Sequence, residues 1–202
     1  MAHESIRVLT YNISWEVMMT KEKGKAPAKG SATGLANKCN FIGTENQCIV
    51  NIANNIESVG KLDFVGLQEA SNFKELIKKC NNLKQMKYIH HKVVEADMVS
   101  FYNPKLFDLK SIKVGRLTGK DVKDGRPYQI IYLRHKTNNK IFMFINVHCP
   151  HETQSKAKYT TDQLQIDLLK DINNQFINDA FNNNNLDIQF EKSKYKIKIN
   201  DN

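Results

Sequence analysis

The feature that most restricts the fold is a change of hydrophobic period near residue 88. Before it, apolar residues at helical spacing lie between two short apolar runs; after it, strand-length runs follow one another. Upstream, Ile6–Tyr11 reads as a strand, with Ile6, Val8 and Leu9 suited to a buried sheet. Cys48, Ile49, Ile52, Ala53 and Ile56 then recur at helical intervals; Thr44 and Gln47 match a capping box, and Gly60 follows. This spacing predicts an amphipathic helix over about residues 46–59. Leu62–Leu67 reads as a buried strand running into Gln68-Glu69, and Phe73, Leu76, Ile77 and Cys80 as a second short helix. Downstream, Tyr88–Val94, Met98–Tyr102, Ser111–Leu117, Gln129–His135 and Ile141–Val147 read as strands. The turn pairs Asn103-Pro104, Thr118-Gly119, Asp124-Gly125 and Asn138-Asn139 punctuate them. A strand, a helix, a strand and then a succession of strands predict an α/β (α+β) sandwich.

The remaining segments add less. Leu164, Leu168, Ile172 and Phe176 place a helix over Asp162–Ala180, a run of four Asn occupies 182–185, and Tyr195, Ile197 and Ile199 alternate with Lys in a strand pattern. With 202 residues and 41% hydrophobic content the chain fits a single domain, 1–202. Residues 20–44, rich in Lys, Gly and Ala, read as a flexible basic insertion. The N-terminus lacks a signal-peptide pattern and no apolar run reaches about 18 residues, so an intracellular protein without a membrane span is expected. Cys39, Cys48, Cys80 and Cys149 form no CxxC pair, which argues against a zinc site. Cys39 and Cys48 could pair in an oxidising compartment; without an export signal, free thiols are the expectation.

Lys and Arg outnumber Asp and Glu by 30 to 21, a formal net charge of +9. That balance favours a polyanionic partner such as nucleic acid, phosphorylated lipid or nucleotide. A basic, simply solvated surface is the alternative. Chemistry concentrates at three strand ends: Tyr11-Asn12, Gln68-Glu69 and Asn146-Val147-His148. Each alone is an ordinary way to end a strand. Together, on otherwise apolar strands, they are the means by which a sheet builds a site.

RVLTYNISWE, DFVGLQEA and FINVHCPHE resemble successive signatures of the endonuclease/exonuclease/phosphatase (DNase I-like) superfamily, and GRPYQIIYL resembles its Arg-bearing strand. The resemblance covers roughly residues 5–180 and implies a metal-dependent phosphodiesterase, with nucleic acid the preferred substrate and inositol phosphates or lipids the alternative. It makes Glu69 the anionic ligand of Mg²⁺ or Mn²⁺, Asn12 a neutral oxygen donor, His148 the phosphoryl contact and Arg126 the phosphate clamp. The chemistry supports those types. Mg²⁺ takes few protein oxygens and keeps its waters, a guanidinium grips phosphate with two N–H groups, and imidazole changes charge near neutral pH. A histidine merely satisfied at a strand end is the plainer reading of His148. His151 and Glu152 lie near enough in sequence to orient His148, and Trp15 reads as packing.

The later signatures implied by the resemblance, a Gly-Asp-Phe-Asn segment and a terminal Asp-His pair, are absent. Asp187, in Asp187-Ile188-Gln189-Phe190, and Asp201-Asn202 are weak substitutes, the second pair favoured because a strand precedes it. The expectation is therefore an incomplete domain: first sheet, helices and part of the second sheet, with reduced or no activity. A catalytically inactive binder of nucleic acid or protein, or a second chain supplying the absent half, follows from the same absence.

Overall fold

The computed structural model describes residues 5–13, 47–93, 96–119, 122–148 and 197–199. Eight strands and three helices lie among them. In chain order they are β1 (Val8–Asn12), α1 (Gln47–Ser58), β2 (Phe64–Gln68), α2 (Phe73–Lys79), α3 (Asn81–Lys84), β3 (Lys87–Val93), β4 (Ala96–Tyr102), β5 (Phe107–Gly119), β6 (Val122–His135), β7 (Ile141–Val147) and β8 (Ile197–Ile199). They form a five-stranded sheet ordered β1-β2-β4-β3-β8 and a three-stranded sheet ordered β5-β6-β7. The chain divides into two compact units, Met1–His90 with Glu95–Pro104 and Lys198–Asn202, and His91–Val94 with Lys105–Ile197. No helix among the described residues is long and apolar enough to cross a membrane.

In the first unit β1 and β2 run parallel, from Val8↔Phe64 to Asn12↔Gln68, and β4 pairs antiparallel on the far side of β2. A parallel pair needs a crossover, and α1 lies within it. Its apolar stripe, Cys48, Ile49, Ile52, Ala53 and Ile56, is the buried face that the periodicity predicts. Gly60 ends it: the residue has φ +81, and its N–H donates to the Glu57 carbonyl at 3.0 Å. Only glycine adopts that left-handed backbone without strain. Ile49, Ile52 and Ile56 join Val65 and Leu67 of β2, Val99 and Phe101 of β4, and Phe73, Leu76 and Leu83 in one core cluster. Each fully buried Leu or Ile there contributes about 1.5–3 kcal/mol. At the base of the strands the buried Asp63 accepts from the Arg7 backbone N–H at 3.1 Å and from Asn103 Nδ2 at 3.3 Å. One carboxylate thereby ties together the approaches to β1 and β2 and the exit from β4.

In the second unit β5, β6 and β7 form an antiparallel meander, with Asn139 at φ +58 in the β6–β7 connection. Phe107 packs edge-on against Phe142, Phe144 and His135, with centroids 5.4–6.0 Å apart. Gly115 is required by a close approach. A Cβ there would lie 2.4 Å from the Tyr128 ring.

The structure departs from the sequence expectation in several places. The first two strands begin two residues later than expected, and both include the polar residue at their ends. Cys80 is not helical: it is the extended residue separating α2 from α3, a helix too short for periodicity to reveal. β5 and β6 are longer than expected, and Asp124-Gly125 lies inside β6 rather than turning the chain. There the pairing Leu117↔Arg126 and Gly119↔Val122, with a register shift between, carries the strands through a pair whose local preference is a turn. The 20–44 insertion, Trp15, the helix over 162–180, and the candidates His151, Asp187, Asp201 and Asn202 lie outside the described residues.

Candidate functional site

Because β1 and β2 are parallel and in register, Asn12 and Gln68 finish side by side, and Glu69 follows directly. Carboxyl ends of adjacent parallel strands are where open α/β sheets place their ligands. Asn12 is exposed and Glu69 half-buried; Asn12 Nδ2 donates to Glu69 Oε1 at 3.2 Å. Two residues 57 apart in sequence are thus brought together.

Gln68 has a different part from the one its position suggested. Its side chain is buried, and Nε2 donates to Thr10 Oγ1 and to the Gly66 carbonyl, both at 3.3 Å. It fastens β2 to β1 one residue before the site. The Ile13 N–H donates to the Gln68 carbonyl at 3.1 Å, extending the attachment past the end of β1.

Glu69 itself sits at φ +59. An L-residue with a long side chain in the left-handed region is strained by about 1–2 kcal/mol, and such positions concentrate where function demands a direction. The conformation breaks the strand alternation. Immediately after it, the Ala70 N–H donates to the Asp97 carbonyl at 2.9 Å, and the Ser71 N–H to the Glu69 carbonyl at 3.1 Å. The Asp97 carboxylate, 5% exposed, meets His90 Nε2 at 2.6 Å. Phe73 lies against the His90 ring, centroids 4.7 Å apart. Neither His90 nor Asp97 was singled out from the sequence. The sequence reading ended one strand at Val94 and began the next at Met98, which left Asp97 in the connection and hid its contact with His90.

In the second unit His148 is buried, and its backbone N–H donates to the Pro127 carbonyl at 3.1 Å, continuing the β6–β7 ladder by one residue. That pairing, with Gln129↔Asn146, puts His148, Asn146, Pro127 and Gln129 on one face of the sheet. Arg126 is one residue off that register and belongs to the face of Tyr128 and Gly115. Arg116, opposite Pro127, is the guanidinium on the His148 face. The sequence reading singled out Arg126 by resemblance and passed over Arg116, because the face of each arginine depends on the β5–β6 register.

Among the described residues no three His, Cys, Asp or Glu side chains cluster as a metal site. The groups at the β1–β2 end are one carboxylate and one amide, whose available donors are oxygens. That suits a hard cation which retains most of its water, and it does not suit zinc.

No family model matches the chain. It is 29% identical over 173 residues to Uncharacterized protein L684 of Acanthamoeba polyphaga mimivirus, covering 83% of this chain and 30% of that one. Among solved structures it superposes on a Bacteroides thetaiotaomicron mannosyl-6-phosphatase with a TM-score of 0.61, at 18% identity, over 85% of this chain and 61% of that one. A Bacteroides thetaiotaomicron endonuclease/exonuclease/phosphatase family protein gives a TM-score of 0.60, also at 18% identity, over 84% and 57%. The chain has the fold of the endonuclease/exonuclease/phosphatase, or DNase I-like, superfamily. It spans about three-fifths of the length of those two structures and under a third of the viral protein.

Proposed function

We propose that this chain is the metal-binding part of a phosphoesterase that hydrolyses phosphodiester bonds, with nucleic acid the preferred substrate. The observation that carries the reading is the Asn12–Glu69 pair, 3.2 Å apart at the ends of two parallel strands, in a fold shared with a phosphatase. Glu69 would hold Mg²⁺ or Mn²⁺ with Asn12 beside it. Asn12 would bring its amide oxygen as a neutral donor. Bound there, the cation would screen the anionic oxygens of a phosphate. His148 donates to or protonates a phosphoryl oxygen. Arg126, or Arg116 on the His148 face, grips the phosphate with paired N–H groups.

The net charge of +9 favours a polyanionic substrate, and a nucleic acid presents the most phosphates. A second reading, a phosphomonoesterase acting on a sugar phosphate, is favoured by the fold shared with the mannosyl-6-phosphatase. Incubation with plasmid DNA, RNA and soluble sugar, inositol and lipid phosphoesters, under Mg²⁺ and under Mn²⁺, separates the readings. The expected result is metal-dependent cleavage of nucleic acid that falls at least about 100-fold in Glu69→Ala and in His148→Ala. Salt-sensitive binding of nucleic acid with no turnover under either metal would instead make the chain an inactive binder. Turnover untouched by Glu69→Ala removes the site.

A further inference from the structure

We propose that His90 is a positioning residue for Glu69, acting through Asp97; this rests on the reading of Glu69 as the cation ligand. A strained left-handed residue persists only where the chain on both sides of it is fixed. Upstream, β2 and Gln68 fix Glu69. Downstream the hold is the 2.9 Å bond from the Ala70 N–H to the Asp97 carbonyl, with Ala70 fully buried. Asp97 therefore sets where the chain leaves Glu69.

What sets Asp97 is its side chain. A carboxylate 5% exposed at the edge of an apolar core is tolerated only with polar partners, and His90 Nε2 holds one of its oxygens at 2.6 Å. The ring of His90 is held in turn by Phe73. Phe73 opens α2, and its N–H donates to the Ala70 carbonyl at 3.1 Å, so the segment from Glu69 to Phe73 is anchored at both ends to the same pair. Loss of the His90 bond removes a 2.6 Å polar partner from the buried Asp97 carboxylate and lets that residue shift. The Asp97 carbonyl moves with it, and Glu69 relaxes out of the direction in which it meets Asn12. Groups that orient a metal ligand from behind commonly alter metal affinity about 10–100-fold.

The test uses the whole chain and Mn²⁺ alone, with free Mn²⁺ followed by electron paramagnetic resonance, and amide exchange at Ala70 as a second readout. His90→Phe keeps the ring against Phe73 and removes the bond to Asp97. His90→Gln restores a nitrogen at the same reach. We expect Mn²⁺ affinity to fall about tenfold or more in His90→Phe and to return to within about twofold of the parent in His90→Gln. The Ala70 amide should exchange faster in His90→Phe alone. Where His90→Phe does not fold, as judged by circular dichroism, His90→Asn takes its place, with an amide that stops short of Asp97. Parent-like Mn²⁺ affinity in His90→Phe, while Glu69→Ala loses binding, overturns the inference. If Glu69→Ala leaves Mn²⁺ binding intact, the cation reading is the part that fails. Exchange at Ala70 then decides the His90–Asp97 contact alone: equal rates in parent and His90→Phe refute it.

Discussion

At Glu69 the side-chain direction comes with a strained backbone, and the two are separable by substitution. With φ at +59, glycine fits the position and alanine does not. Glu69→Gly should therefore be more stable than Glu69→Ala by about 1 kcal/mol in urea unfolding, while both lack the carboxylate. Equal stabilities would mean that the position carries no strain. Cys80 makes a second case. Burial pushes its thiol up to about 11, and the neighbouring Glu57 carboxylate adds to the effect. At neutral pH the thiol stays protonated, so iodoacetamide at pH 7.5 should leave Cys80 unmodified in the folded chain and alkylate it in urea, read by mass spectrometry. Asn12 and Glu69 were legible in the sequence because polar side chains ended apolar strands. Their 3.2 Å approach was not, since it depends on parallel register. The left-handed backbone at Glu69 was hidden too: it is imposed by the attachments of Gln68 and Ala70, which no local preference of a Gln-Glu-Ala segment encodes.

At the scale of elements, the long β5–β6 hairpin carries most of the second unit's order. Gly115 admits the Tyr128 ring, so Gly115→Ala should destabilise the chain by about 1–3 kcal/mol. In a Tyr128→Ala background the same substitution should cost almost nothing, and a double-mutant cycle in denaturant measures the difference. Near the other end of the hairpin, Asp108 lies 2.9 Å from Arg134 and 3.5 Å from Lys136. The Arg134 hydrogen bond holds the Asp108 carboxyl below its ordinary value. A depressed folded pKa contributes stability above the unfolded value of about 4, and that contribution is lost as pH falls toward the folded one. Asp108→Asn should flatten the acid limb of the stability profile. Since the pair is partly exposed, its loss near pH 7 should stay under about 1 kcal/mol. The hairpin's existence was readable from alternation and turn pairs. Its length was not, because cross-strand pairing overrode the turn preference of Asp124-Gly125. α1 was read with its buried face intact, since five apolar residues at helical spacing leave few alternatives.

At the scale of the whole molecule, sequence order and observed architecture agree where hydrophobic period is the cause: strand, helix, strand, then strands, resolved into sheets of five and three. The order of strands within the first sheet, with β4 rather than β3 beside β2, is a matter of long-range pairing and could not be read from periodicity. A formal charge of +9 predicts that any binding of DNA or RNA weakens steeply between about 50 and 200 mM salt, with a linear log–log slope readable by fluorescence anisotropy. A salt-independent affinity would mean that contacts to the phosphates do not carry the binding. The parallel pairing of β1 with β2 also has a temporal side. During synthesis at about 5–20 residues per second, the 57 residues separating Asn12 from Glu69 leave the ribosome about 3–11 s apart. Through that interval the nascent β1 has no β2 to lie against, so whatever shields its edge on the way out governs how much of the chain reaches its native form.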